Sequence, residues 1–107
     1  MKAKIRFNPV ASTDLQEIRE YLMEDNPGVA VRIIQNIVVK IEALADFPEM
    51  GSSLASRIRQ KSKYRYLVCG QYLAFYIYED GIVYVQRILH CKRNFEALLL
   101  DDNDVVT

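Results

Sequence analysis

The sequence lacks tryptophan, and it has only one histidine, His90, and two cysteines, Cys69 and Cys91. Because the cysteines lack CxxC spacing, reduced thiols are expected rather than a disulfide framework. Adjacent ligands cannot easily face one ion, so we expect no metal site at residues 90 and 91, and no cofactor. No apolar run approaches the ~20 residues that span a bilayer, and no apolar signal core follows the basic first residues. These absences predict a cytoplasmic protein with no membrane partner.

The sequence also lacks net charge, since 14 basic side chains balance 14 acidic ones. This balance argues against a general nucleic-acid binder, but the charges are unevenly distributed. Residues 1–49 contain six Lys or Arg and eight Asp or Glu, whereas residues 50–78 contain five basic residues and no acid. Three more basic residues lie between 82 and 95, again without an acid. The chain therefore has an acidic first half and a basic second half.

Two helices are predicted in the first half, after a short strand at residues 2–7. Asn8 and Asn26 are each followed by proline, a pair in which asparagine caps free amides and proline supplies the first helical φ. The second helix should end before Phe47, which also precedes a proline. The two helices are therefore expected to form an antiparallel hairpin.

The second helix has an unusually wide apolar face. Val29, Val31 and Val38 widen its core stripe to roughly 200° of arc, about twice what packing on one surface requires. In one interpretation the helix lies between the first helix and a sheet. In the other, part of this surface, with Val31 and Val38, binds a partner.

Three strands are predicted in the second half, at residues 64–69, 72–78 and 82–89, joined by links short enough for hairpins. Residues 94–100 suggest a last short helix, and residues 101–107 a frayed tail. The predicted fold is a single α+β domain, residues 1–107, in which a helical hairpin packs on a three- to four-stranded antiparallel sheet.

Alternation along the second strand assigns its side chains to two faces. Leu73, Phe75 and Ile77 are expected to pack on the helices, which would leave accessible a face with Tyr72, Ala74, Tyr76 and Tyr78. In the third strand, alternation places Arg87 on an apolar face with Val83, Val85 and Leu89. A buried guanidinium needs a partner, so we predict that Arg87 pairs with an acid of the helical hairpin.

Several short patterns occur together in this order. The helical half contains Asp14-Leu15-x-x-Ile18-x-x-Tyr21, Asn26-Pro27 and Ile41-x-x-Leu44-x-x-Phe47-Pro48-x-Met50-Gly51. The strand half contains Tyr64-Arg65-Tyr66, Tyr72-Leu73-Ala74-Phe75-Tyr76 and Gln86-Arg87-Ile88-Leu89-His90. Each pattern is weak alone, but from Ile5 to Phe95 their order and spacing resemble the ParE/RelE toxin superfamily of type II toxin-antitoxin systems. The long hairpin and the link at residues 48–51 look more like the ParE branch.

The resemblance implies an N-terminal helical hairpin on an antiparallel sheet and a toxin that inhibits growth and stabilises plasmids. It implies neutralisation by a cognate antitoxin, and contact with operator DNA only through that antitoxin. The target would be DNA gyrase for a ParE-like toxin, or ribosome-bound mRNA for a RelE-like endonuclease. A homodimer or a hetero-oligomer with the antitoxin is compatible with both.

Cleavage of RNA by its 2′-hydroxyl needs a base, an acid and a cation for the developing phosphorane charge. The second half offers His90 as acid or base, Arg65 and Arg93 as cations, and Tyr76 or Tyr72 for stacking or proton transfer. No carboxylate base is evident there. The alternative is that His90 is a structural hydrogen-bonding residue at a strand end and that the toxin is not a nuclease.

A basic run at alternate positions precedes the first of the three strands. It consists of Arg57, Arg59, Lys61, Lys63 and Arg65. An extended chain would align these charges on one side, where they would contact phosphate or, as we favour, an acidic segment of the antitoxin; otherwise they form a solvated loop. Tyr72, Val31 and Val38 complete the predicted target- or antitoxin-binding residues.

Overall fold

A computed structural model describes residues 2–58 and 62–93 of the chain, without the side chains of residues 57 and 58. The helix predicted at residues 94–100 and the tail at 101–107 lie outside the described residues. The elements, in chain order, are β1 (Lys4–Phe7), α1 (Pro9–Asp25), α2 (Pro27–Glu42) with a 3-10 turn (Ala43–Ala45), β2 (Ser52–Ser53), α3 (Leu54–Ile58), β3 (Arg65–Cys69), β4 (Tyr72–Glu79) and β5 (Ile82–His90).

The strands form one sheet in the order β1-β5-β4-β3-β2. β1 pairs with β5 in parallel, and the other pairs are antiparallel. The predicted α+β architecture is confirmed. The sheet has five strands because the two residues of β2 add to the outer edge of β3.

Both predicted helix starts are confirmed, and each has a side-chain cap. The Asn8 side chain accepts a hydrogen bond from the N–H of Val10 at 2.9 Å, and that of Asn26 accepts from Val29 at 3.2 Å. Asn26 alone separates α1 from α2, so the two helices pack on each other as a hairpin. Within the described part of the chain, no helix is long and apolar enough to cross a bilayer.

The main core lies between the helical hairpin and the sheet. It contains Ala11, Ile37, Ile41 and Leu44 from the helical half and Leu67, Cys69, Tyr72, Ala74, Tyr76, Val83, Val85 and Ile88 from the strands. The tyrosine face of β4 therefore packs on the helices, and the prediction that it stays accessible is wrong. Tyrosine is tolerated in this layer because its hydroxyl can find a partner at the edge of the core.

The opposite face of the sheet is covered by a smaller cluster. Leu73, Phe75 and Leu89 pack there against Leu54 of α3, with Tyr64 and Tyr66 beside them. No helix was predicted between the link at residues 48–51 and the first of the three strands, so α3 was missed. This short helix covers the face that we had expected to pack on the hairpin.

A β-bulge interrupts the pairing of β4 with β5. Phe75 is opposite Arg87 and Tyr76 is opposite Val85, so Gln86 is an extra residue without an opposite neighbour. The strict alternation that placed Arg87 on one face with Val83 and Val85 was therefore wrong, because a bulge shifts the phase of the strand.

The predicted ion pair of Arg87 with an acid of the hairpin is confirmed. Its guanidinium donates to both carboxylate oxygens of Asp14, with distances of 2.8 and 3.0 Å. Asp14 also accepts a hydrogen bond from the backbone N–H of Ile88 at 3.0 Å. This Asp14–Arg87 clasp joins α1 to β5, since one buried carboxylate accepts hydrogen bonds from both a half-buried cation and a backbone N–H.

Both predicted connections between the strands, β3 to β4 and β4 to β5, are tight turns. Gly70 has a φ of +64°, and at the second link Asp80 and Gly81 have φ values of 52° and 76°. Two successive positive φ values are typical of a type I′ turn, whose twist matches that of the flanking strands.

Candidate functional site

The structure divides the four predicted catalytic residues between two ends of the sheet. Arg65 and Tyr76 are opposite each other on β3 and β4, beside the link at residues 48–51. His90 and Arg93 lie at the other end, where β4 begins with Tyr72. Tyr72 and Tyr76 are separated by four strand residues, or roughly 13 Å. We call these regions the link end and the cleft end.

At the link end, Tyr76 and Arg65 bind the backbone of the link. The Tyr76 hydroxyl donates to the carbonyl oxygen of Pro48 at 2.8 Å and accepts from the N–H of Gly51 at 2.9 Å. The Arg65 guanidinium donates to the carbonyl oxygens of Gly51 at 2.8 Å and Glu49 at 3.3 Å. These four hydrogen bonds fix the link, and they engage the Tyr76 hydroxyl and the Nη1 of Arg65 within the chain.

Tyr76 is completely buried, with 0% of its surface exposed. Burial raises the pKa of Tyr76, although the Gly51 N–H and the positive charge of Arg65 oppose that shift. The phenol is therefore neutral at physiological pH and has no open surface on which a base could stack. Its geometry suits a structural role.

At the cleft end, His90 and Arg93 line a cavity of about 430 Å³ with Tyr72. The other residues of its wall are Asp14, Glu17, Ile18, Tyr21, Ile88 and Leu89. The His90 ring meets Tyr72 edge to face, with ring centroids 5.2 Å apart. Its Nδ1 accepts a hydrogen bond from the N–H of Lys92 at 3.1 Å, which orients the imidazole. The cleft therefore brings together three residues that the sequence analysis had selected.

Two carboxylates of α1 complete this cleft, and the sequence analysis missed both. Asp14 is held in the clasp with Arg87, whereas Glu17 makes no ion pair or hydrogen bond among residues 2–58 and 62–93. Residues 14, 17 and 21 recur at helical spacing, so one face of α1 turns them toward the same cavity. That spacing was the available signal, but only the fold shows that β5 lies opposite.

Tyr72 has little exposed surface, and its pKa is raised by burial and by the nearby Tyr21 hydroxyl. It therefore keeps its proton at physiological pH and can serve as a hydrogen-bond donor. The cleft end thus offers an imidazole, a guanidinium, a phenol and a carboxylate without an ion-pair partner among the described residues, all around one cavity.

The basic run does not act as one surface in the described residues. Lys63 forms an exposed ion pair with Glu79 at 3.0 Å, whereas Arg65 turns toward the link. Arg57 lies on α3, but its side chain is not described, and Arg59 and Lys61 lie outside the described residues. Their use for phosphate or antitoxin contact stays a prediction.

The wide apolar face of α2 is partly used by the core. Val29 and Val38 are half-buried, and Val38 lines a shallow groove of about 440 Å³ between α1 and α2 with Phe7, Leu15 and Ile34. Val31 is 56% exposed. Packing between α1 and the sheet therefore covers Val29 and Val38 in part and leaves Val31 exposed, and binding of a partner by Val31 and Val38 stays a prediction.

Two solved structures share this fold. One is a chromosomal ParDE toxin-antitoxin system from P. aeruginosa, with a TM-score of 0.70 and 18% identity over 83% of this chain and 96% of that one. The other is the toxin-antitoxin complex RelBE2 from Mycobacterium tuberculosis, with a TM-score of 0.59 and 21% identity over 84% of this chain and 99% of that one. The molecule is therefore a small α+β protein with the ParE/RelE toxin fold.

Sequence comparison identifies the family. The chain is 30% identical over 83 residues to Toxin RelE2 of Caulobacter vibrioides, covering 78% of this chain and 89% of that protein. Residues 5–95 match the family described as ParE toxin of type II toxin-antitoxin system, parDE. The chain belongs to this family of toxins, within the ParE/RelE superfamily.

Proposed function

We propose that this toxin inhibits DNA gyrase by binding it and catalyses no reaction itself. The observation that carries the proposal is the link end, where Arg65 and Tyr76 are engaged by backbone atoms of residues 48–51. Two of the residues proposed for catalysis therefore support a rigid loop. The match of residues 5–95 to the ParE toxin family supports the same target.

The fixed link presents an apolar surface that suits protein binding. Phe47 is 64% exposed and Met50 is 48% exposed, on either side of Pro48 and Glu49. With Tyr78 they border a shallow depression of about 660 Å³. A protruding aromatic side chain on a preorganised loop is typical of a binding hot spot, because little conformational entropy is lost on association.

The test is a supercoiling assay with purified toxin and gyrase from the same host. Trapped, cleaved DNA is expected, and a Phe47→Ser, Met50→Ser variant should lose the effect because its apolar contact is removed. A Val10→Ser variant, which changes an exposed apolar residue at the start of α1, is the matched control. If the wild-type toxin leaves its host's gyrase unaffected, this target is wrong.

The cleft end favours a second candidate, ribosome-dependent mRNA cleavage. His90 and Arg93 share a cavity with Tyr72 and the carboxylate of Glu17. These groups supply an acid or base, a cation and a phenol that can donate a hydrogen bond, for cleavage by the 2′-hydroxyl. Glu17 places a carboxylate at the cleft, whereas no carboxylate base was evident in the second half of the sequence.

Primer extension on translated message tests this candidate. Cuts linked to codons are expected with wild-type toxin and should disappear in a His90→Ala, Arg93→Ala variant. A Lys4→Ala variant is the control, since it removes an exposed basic residue of β1 that does not line the cleft. Cuts that persist in the double variant would remove the cleft from the mechanism.

A cognate antitoxin completes the proposal. Both solved structures described above are toxin-antitoxin assemblies, which supports such a partner for this chain. We expect neutralisation in the cytoplasm, and operator DNA contact only through the antitoxin. Co-expression with the product of the adjacent gene should restore growth, whereas harmless strong expression of the chain alone would contradict a functional toxin.

A further inference from the structure

A pocket beside the first half of α2 is used by neither proposed target. It has a volume of about 410 Å³ and lies between α2, the end of α1 and the turn that joins β3 to β4. This volume falls within the range of small-molecule sites, roughly 300–1,000 Å³. We call it the α2 pocket, and it is lined by Leu22, Val29, Arg32, Ile33, Asn36, Cys69, Gly70, Gln71 and Tyr72.

The helical wall of the α2 pocket is apolar. Val29 and Ile33 are one turn apart on α2, so their side chains lie on the same face of the helix. Leu22 adds a third aliphatic side chain from the end of α1. All three are half-buried, so each keeps apolar surface that a ligand can cover. Removing this surface from water would favour binding of an apolar body.

The polar residues of the pocket are hydrogen-bond donors without partners. Within residues 2–58 and 62–93, the side chains of Arg32, Asn36, Gln71 and Tyr72 form no ion pair and no hydrogen bond. Arg32 and Asn36 are also one turn apart on α2. No acidic side chain lines the pocket, so the charge of Arg32 is not neutralised there. A guanidinium with amide and phenol donors around it suits an anion.

Tyr72 is the most informative of these residues because it is only 8% exposed. A buried hydroxyl normally has a hydrogen-bond partner, and the Tyr72 hydroxyl has none among the described residues. Burial and the nearby Tyr21 hydroxyl raise the pKa of Tyr72, so the phenol keeps its proton and can donate it to an acceptor. The hydroxyl therefore marks the position of a missing acceptor.

We propose that the α2 pocket binds a small amphipathic anion. The apolar body of the ligand lies on Leu22, Val29 and Ile33. Its carboxylate or phosphate group accepts hydrogen bonds from Arg32, Asn36 and Tyr72. This site gives the chain a ligand in addition to its protein or RNA target, and it does not depend on which target is correct.

Titration of the full chain with sodium octanoate, followed by the backbone amide resonances, provides the direct test. The amides of Ile33, Asn36, Gly70 and Gln71 should shift and saturate with a Kd of about 1 mM, as expected for a ligand of about ten non-hydrogen atoms. Octanamide, which has the same shape without the charge, should bind about tenfold more weakly. Acetate, which lacks the apolar body, should not saturate in the same range.

Octyl phosphate distinguishes the two kinds of headgroup. Saturable binding of either anion at the α2 pocket supports the proposal, and the tighter of the two identifies the headgroup that the pocket prefers. If neither anion gives saturable shifts at these four amides, or if octanamide binds as tightly as octanoate, the proposal is wrong.

Variants separate the specific donors from general surface charge. Arg32→Gln should weaken octanoate binding about fivefold, because the ion pair is lost at a partly open site. Arg19→Gln is the matched control, since Arg19 is an exposed arginine of α1 that does not line the pocket. Equal losses in these two variants would show that the anion binds to surface charge, which contradicts the proposal.

The phenol is tested in the same way. Tyr72→Phe should weaken binding about threefold through loss of one hydrogen bond, whereas Tyr21→Phe, at a residue that does not line the pocket, should leave it unchanged. Circular dichroism checks that all four variants fold. Unchanged affinity in Tyr72→Phe would overturn the assignment of the hydroxyl to the ligand.

Other occupants of the α2 pocket give different results. A capped peptide of three glutamates carries charge without the apolar body, and affinity equal to that of octanoate would assign the pocket to an acidic protein segment. Shifts of the same four amides with protein concentration, in the absence of ligand, would assign it to a second copy of the chain. Either result contradicts a small-molecule site.

Discussion

The link end and the cleft end use the same residue types in different ways. At the link end, Tyr76 and Arg65 make four hydrogen bonds to the backbone of residues 48–51. At the cleft end, Tyr72 and Arg93 border an open cavity with His90 and Glu17. Residue type alone therefore does not distinguish a structural site from a functional one. Burial and internal hydrogen bonding distinguish the two kinds of site, because a group that is already bound within the chain has few donors or acceptors left for a ligand.

The largest loss of stability is expected when Gly51 at the link end is substituted. A Cβ at this position would lie 2.7 Å from the Tyr76 hydroxyl and 2.8 Å from the carbonyl oxygen of Tyr66. Because neither neighbour has free space, Gly51→Ala should lower the free energy of unfolding by about 3 kcal/mol, measured by urea denaturation. Gly28→Ala is the matched control, since a Cβ there meets its nearest neighbour at an ordinary 3.6 Å. Equal losses in both variants would show that the link end is not tightly packed.

Tyr76→Phe should have the next largest effect. The substitution leaves the N–H of Gly51 and the carbonyl oxygen of Pro48 without their partner, so a loss of about 2 kcal/mol in unfolding free energy is expected. Tyr21→Phe is the control at the cleft end, because Tyr21 is largely exposed. A Tyr76→Phe variant as stable as wild type would contradict the structural role assigned to the hydroxyl.

Alkaline pH should destabilise the protein through Cys69, which pairs with Tyr72 at the cleft end of the sheet. Burial raises the pKa of the Cys69 thiol from 9.0 to about 11, although Lys40 opposes the shift. The folded state holds the thiol proton more tightly than the unfolded state. The buried neutral thiol therefore contributes fully to the free energy of unfolding below pH 9, and this contribution is lost as the pH rises toward 11.

The measurement is the urea midpoint of wild type and Cys69→Ala between pH 8 and 11. The difference between the two proteins should shrink across this window, because only wild type has the buried thiol. A constant difference would show that water reaches Cys69.

The smallest stability effect is expected for Glu17→Gln in the wall of the cleft. Glu17 is exposed and has no ion pair among the described residues, so unfolding free energy should stay within about 0.5 kcal/mol of wild type. If the cleft cleaves mRNA, the same variant should lower the cleavage rate while stability is unchanged. A loss of stability comparable to that of Tyr76→Phe would remove the distinction between the two ends.

Local signals in the sequence were sufficient for much of this fold. The Asn caps of α1 and α2 and the short turns at Gly70 and Gly81 act over a few residues, so they are visible without the structure. The acid partner of Arg87 was also predictable, because a buried guanidinium needs one in any fold of this kind. The particular residue, Asp14, was not.

Features that depend on distant contacts were not predictable. Alternation divides β4 into two faces but does not show which face is buried. The tyrosine face can be buried because the Tyr76 hydroxyl forms hydrogen bonds with the backbone of Pro48 and Gly51, 28 and 25 residues away. α3 has only five residues, too few for a helical periodicity to show, and the bulge at Gln86 has no local signal that we recognised. The position of Glu17 in the wall of the cleft likewise could not be predicted, because it depends on the packing of α1 beside β5.

The Asp14–Arg87 clasp has a consequence for how the toxin is made. It joins residues separated by 73 positions, and β1 pairs with β5 across a similar distance along the chain. Contacts of such long range form late, since the intervening chain must exist before its ends can meet. A ribosome must therefore release nearly all of β5 before the sheet can close. An antitoxin that is already present at that moment can meet the toxin as it folds, before any folded toxin has diffused to its target.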